Sequence, residues 1–121
     1  MNLQSMIDRV KNHSDADKIG MILCHNGIVR ATSRDGRKVS GLRITVDHEK
    51  LKQVIDAQKK KPGIVEILVH ISENTDLTVG DDVMFLVVAG DIRETVITVL
   101  QDTLNTIKTN VTQKTQYFSE I

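Results

Sequence analysis

Sulfur, rings and proline are all scarce in this chain. Among 121 residues there is one cysteine, one proline, no tryptophan, one tyrosine and two phenylalanines. The single Cys24 excludes an intrachain disulfide framework and a cysteine-rich zinc site. Phe85, Tyr117 and Phe118 are too few to build a stacking platform for single-stranded nucleic acid. Nor is there an excess of either charge: 16 Lys plus Arg meet 16 Asp plus Glu. Without a basic excess to neutralise phosphates, nucleic acid is not an expected partner. The longest apolar run, residues 83–89, falls far short of the roughly 20 needed to cross a bilayer, so no membrane is expected. Residues 1–9 show no basic segment leading into an apolar core, so a secretory signal is not expected. With the free thiol, this makes the cytoplasm the expected location. No G-x-G-x-x-G, P-loop, C-x-x-C or H-E-x-x-H occurs, and His13, His25, His48 and His70 show no ligand spacing. Neither a metal nor a cofactor is therefore expected.

What is present is an ordinary globular composition, 40% hydrophobic and 26% charged, at a length that suits one domain over residues 1–121. Leu3, Met6, Ile7 and Val10 recur at helical spacing and predict a helix over 2–13. Residues 21–30 predict a buried strand interrupted at Gly27, Asp35-Gly36 a hairpin turn, and residues 39–46 the return strand. Asp47 is a natural N-cap for a helix over 48–61, which Pro62-Gly63 ends. Strands are expected over 64–72 and 83–89, the second covered on both faces. Asp91 and Glu94 suggest a capping box for a helix over about 92–110, with Val96, Ile97, Leu100, Leu104, Ile107 and Val111 as its apolar stripe. From Thr112 onward the chain is polar apart from Tyr117-Phe118. The expected order is α-β-β-α-β-β-α, an α+β fold with helices packed on a mixed antiparallel sheet.

Chemistry has few places to sit in this frame. Cys24 and His25 are no dyad, since neighbours on a strand point to opposite faces, and Cys24 reads as a buried inert thiol. Arg30 ends a glycine-interrupted strand. Arg93 lies in the first turn of the long helix, where the macrodipole disfavours a cation unless an anion joins it; the plainer reading pairs it with Asp91 or Glu94. Lys108 closes that helix, the usual place for a macrodipole partner, and Lys114 follows.

An ordered set of short motifs adds to this. Gly20-x-Ile22-x-x-x-x-Gly27-x-Val29-Arg30, Gly36-Arg37-Lys38-Val39-x-Gly41-Leu42, Leu77-x-x-Gly80-Asp81, Arg93, and Lys108 fifteen residues later resemble the large, catalytic subunit of molybdopterin synthase over about residues 3–118. The resemblance implies an α/β hammerhead fold and a homodimer, within a heterotetramer when each protomer binds its small ubiquitin-like sulfur-carrier subunit. It implies sulfur transfer from the carrier's C-terminal thiocarboxylate to cyclic pyranopterin monophosphate, giving molybdopterin. By position, Lys108 would be the pocket lysine and Arg30 and Arg93 would bind the substrate's anionic parts. His25, where the family has an aromatic, joins the substrate-binding set. The family's second lysine falls on Thr115, with Lys114 one place early as its substitute. Ile92 stands where the family has a histidine, and the C-terminal P-x-W-K-[KR]-E signature is absent. The alternative is a non-catalytic dimeric relative that binds an anionic ligand or the carrier tail without turnover.

One expectation needs no family. Fifteen residues of helix separate Arg93 from Lys108 by about 22 Å, at about 1.5 Å per residue. A small substrate can meet both only if they come from different subunits, at a two-fold interface.

Overall fold

The computed structural model describes residues 2–119. Helix α1 (Leu3–Lys11) starts at Asn2, whose side chain accepts from the Ser5 amide while Ser5 Oγ accepts from the Asn2 amide. Strand β1 (Met21–Ile28), strand β2 (Val39–Val46) and helix α2 (His48–Lys59) follow. Asp47 caps α2 as expected, its carboxylate accepting from the Lys50 amide at 3.1 Å. Then come β3 (Ile64–Ile71), the two-residue β4 (Leu77–Thr78), β5 (Asp82–Gly90), α3 (Arg93–Thr106), a π-helical turn (Ile107–Val111) and β6 (Thr112–Phe118).

The α+β class holds, and the strands divide into two antiparallel three-stranded sheets, ordered β1-β5-β3 and β4-β2-β6. β1 and β2 therefore do not pair as a hairpin. The Asp35-Gly36 turn is present, with Gly36 at φ +85°, but it carries the chain from one sheet to the other. The polar tail becomes a strand after all. β6 pairs with β2 along its length, Ile44 opposite Lys114 and Leu42 opposite Gln116. Its own alternation is too weakly apolar to announce a strand; the partner's edge supplies the hydrogen bonds.

β5 organises the core. Met84, Leu86 and Val88 point into one apolar cluster, with α3, Leu42 and Ile44 of β2, and Leu77 of β4. Phe85, Val87 and Ala89 point into the other, beneath Met6 and Val10 of α1. That is the period-two pattern of a strand covered on both faces, as its sequence implied. Cys24 packs into the α1 cluster, where burial pushes its thiol up. On α3 the buried line is Val96, Val99 and Thr103, continued by Ile107 of the π turn, while Ile97 is 44% exposed. The real stripe is thus rotated from the one read off the apolar residues, because the small Thr103 faces inward. Nor does Asp91 form a capping box. Ile92 occupies the N-cap position without a side-chain cap, and Asp91 Oδ1 accepts from the Ile92 amide.

Gly41 shows why the second sheet can be so tight. A Cβ there would run into the Leu77 carbonyl, so only glycine lets β4 lie against β2.

Candidate functional site

The two sheets and the end of α3 enclose a cleft of about 310 Å³. Each wall is built by ordinary local rules. On β1, His25 and Gly27 share a face by period two, with Ile28 at the bulge where the pairing to β5 slips by one residue. Leu42 and Ile44 of β2, Ile71 of β3 and Met84 of β5 make an apolar floor. Thr112 and Lys114, again two apart on one strand face, form the side supplied by β6. Lys108 enters from the π-helical turn, and Arg34 from the loop between β1 and β2.

The π turn is the least regular part of this frame. Thr106 Oγ1 donates to the Asp102 carbonyl at 2.8 Å and Thr109 Oγ1 to the Asn105 carbonyl at 3.0 Å. These hydroxyls engage carbonyls that the helix ladder would otherwise use alone, a competition that bends helix ends. The Thr112 amide then reaches back five residues to the Ile107 carbonyl, the widened hydrogen bond of a π turn. The turn aims Lys108 at the cleft and starts β6 in the register that presents Lys114. Thr115, the next residue on the strand, does not line the cleft.

The electrostatics are one-sided. No aspartate or glutamate lines the cleft, whereas Arg34, Lys108 and Lys114 do. Among the described residues none of these three forms an ion pair. In a chain of zero net charge this is a local concentration of positive groups over apolar walls, where attraction for an anion is less screened than in bulk water. His25 reports the field: burial first, and then the Lys108 ammonium, hold its imidazole below the usual range. It is therefore neutral at pH 7 and can accept a hydrogen bond as well as donate one.

Of the five residues singled out in the sequence, His25, Lys108 and Lys114 meet in this cleft. Arg30 and Arg93 do not line it. Arg30 Nε instead donates to the Thr32 carbonyl at 2.9 Å. Arg93 lies exposed in the first turn of α3, 3.6 Å from the Glu94 carboxylate. Sequence reasoning missed Arg34. It stands in a turn-forming stretch rich in charge, where nothing distinguishes it from Arg37 or Lys38. Among the described residues no group of His, Cys, Asp and Glu could hold a metal ion, and no helix is long and apolar enough to cross a membrane.

Several solved structures share the fold. Molybdopterin synthase from Staphylococcus aureus matches with a TM-score of 0.73 over 87% of this chain and 79% of that one, at 20% identity. A complex of subunits 1 and 2 of molybdopterin-converting factor from Helicobacter pylori 26695 gives 0.71, over 99% and 85%, at 17% identity. Molybdopterin cofactor biosynthesis protein E from Burkholderia multivorans gives 0.76, over 100% and 88%, at 16% identity. No curated protein matches the sequence. At these identities the likeness speaks for the fold, and the assignment rests on the family match. The MoaE protein family matches residues 1–110, a stretch that holds β1, the Arg34 loop, the apolar floor, α3 and Lys108. The chain belongs to that family, the large subunits of molybdopterin synthase, and with them to molybdenum cofactor biosynthesis.

Proposed function

We propose that this chain carries out the sulfur-transfer step, moving sulfur from the C-terminal thiocarboxylate of a small ubiquitin-like carrier to cyclic pyranopterin monophosphate. The observation that carries the reading is the meeting of Lys108, Lys114 and neutral-leaning His25 in a cleft without a carboxylate. Both reactants are anions, a thiocarboxylate and a phosphate ester, and a cleft of unpaired cations over apolar walls suits both. Lys108 sits where its ammonium can stabilise charge on the thiocarboxylate or on the intermediate formed from it. Lys114 adds a second positive charge from β6. Ile28, 55% exposed beside the cleft, offers the carrier's tail an apolar edge.

Arg93 enters this reading through a second copy of the chain. Within one protomer it lies a helix length from Lys108, so a shared site is a site between subunits, Arg93 of one near Lys108 of the other. That implies a homodimer, and a heterotetramer once each protomer holds a carrier.

The engagement of Arg30 with Thr32 and of Arg93 with Glu94 favours the second reading, a relative that binds the anion or the tail without turnover. One assay separates them. Mixed with thiocarboxylated carrier and cyclic pyranopterin monophosphate, the chain should form molybdopterin, and Lys108→Ala should abolish formation while the protein stays folded. Binding of the carrier with no product would leave the second reading standing; full activity of Lys108→Ala would reduce Lys108 to a helix-end cation.

A further inference from the structure

We infer that Arg34 is the anion-gripping residue of the cleft, taking the role that the resemblance assigned to Arg30. The inference rests on the function proposed above for its ligand, a phosphate ester, and on four observations for its geometry. First, Arg34 lines the cleft with Lys108 and Lys114, whereas Arg30 is turned to the Thr32 carbonyl. Second, the Arg34 guanidinium makes no hydrogen bond or ion pair with any described residue, so all five of its N–H donors remain for a ligand.

Third, its backbone is held in a closed turn. The Ser33 amide donates to the Arg37 carbonyl at 2.8 Å and the Gly36 amide to the Ser33 carbonyl at 3.0 Å. Ser33 Oγ also donates to the Asp35 carboxylate, which that bond holds below its ordinary pKa and thus ionised. Fourth, the far side of this turn is fastened to the strand that carries Lys114. The Arg37 guanidinium lies 3.6 Å from the centroid of the Phe118 ring, and the Ser119 amide donates to the Lys38 carbonyl at 3.0 Å. Arg34 and Lys114 are therefore set relative to one another by a short chain of contacts.

The division of labour follows from the chemistry of the groups. A guanidinium presents a planar fork that matches two phosphate oxygens at once, which an ammonium cannot do. Arg34 holds the phosphate, and Lys108 and Lys114 remain free for the sulfur-bearing end.

The test is a titration of the full chain with inorganic phosphate, followed through the backbone amides of Gly27 and Thr112. Arg34→Gln should weaken phosphate binding about tenfold, the loss of a charge-assisted pair. Arg34→Lys, which keeps the charge and loses the fork, should recover only part of it. Unchanged affinity in Arg34→Gln, or an equal loss in Arg30→Gln, overturns the assignment. In the sulfur-transfer assay Arg34→Gln should raise KM for the pterin substrate with little change in kcat; a fall in kcat at constant KM also overturns it. Absence of product from the parent chain would sink the proposed function alone, because the phosphate titration decides Arg34 without it.

Discussion

The two ends of α3 carry one cation each and have nothing else in common. At the start, Arg93 faces solvent beside Glu94, on a helix that begins without a side-chain cap. At the finish, the helix widens into a π turn, and Lys108 is delivered between two sheets beside His25 and Lys114. Charge and helical position alone rank Arg93 above Lys108 as a candidate, whereas within one protomer it is Lys108 that lines the cleft. By the macrodipole, Arg93 is out of place and invites a ligand, while Lys108 is an ordinary helix-end lysine. The difference lies in what surrounds them. Lys108 stands among other cations over apolar walls, whereas Arg93 stands beside the Glu94 carboxylate.

The sharpest way to break this contrast is to remove each cation. Lys108→Ala should lower sulfur transfer by about 10²–10³-fold, the loss of one aimed electrostatic group, with the circular dichroism spectrum unchanged. If Arg93 serves the partner's cleft, Arg93→Ala should also be inactive, yet mixing the two inactive proteins should restore about a quarter of the parental rate. Half the dimers are then mixed, and each mixed dimer holds one intact site. No recovery on mixing, with exchange of subunits verified, would dissolve the composite site.

A smaller effect appears in pH. His25 has its pKa lowered in the folded chain, so the unfolded chain takes up a proton first as pH falls. The folded state is thus penalised below about pH 6.5, and the penalty vanishes above it. His25→Phe should be more stable than the parent at pH 5 and indistinguishable in this respect at pH 8, as read by urea denaturation. Lys108→Ala should move the His25 titration, followed by NMR, part of the way up. Burial, the larger cause, remains in that variant. Smallest of all is the stability effect of Arg93→Ala, within about 0.5 kcal/mol, because its pairing with Glu94 is open to water.

Much of the frame was legible in the residues. The N-cap at Asp47, the stop at Pro62-Gly63, the doubly covered β5 and the irregularity at Gly27 all follow from local rules, and the structure has each of them. Three features were not legible. β6 has the composition of a tail and exists because β2 offers an unpaired edge. The split into two sheets depends on which strands meet across the fold, which no local pattern records. The buried line of α3 runs through Thr103, so hydrophobicity alone misplaced it. The site shows the same division: Lys108, Lys114 and His25 could be named from spacing and resemblance, but Arg34 emerged only once the loop between the sheets was folded.

The π turn also bears on which genetic changes the chain can tolerate. It takes in one more residue per hydrogen-bonded ring than regular helix, and β6 begins directly after it. Deleting a single codon between Lys108 and Thr112 would let the helix close normally. It would also slide everything downstream by one position, turning Lys114 to the opposite side of its strand and bringing Thr115 into its place. The segment therefore acts as a frame-setter for the second lysine, and single-residue insertions or deletions there should be far more damaging than substitutions at the same positions.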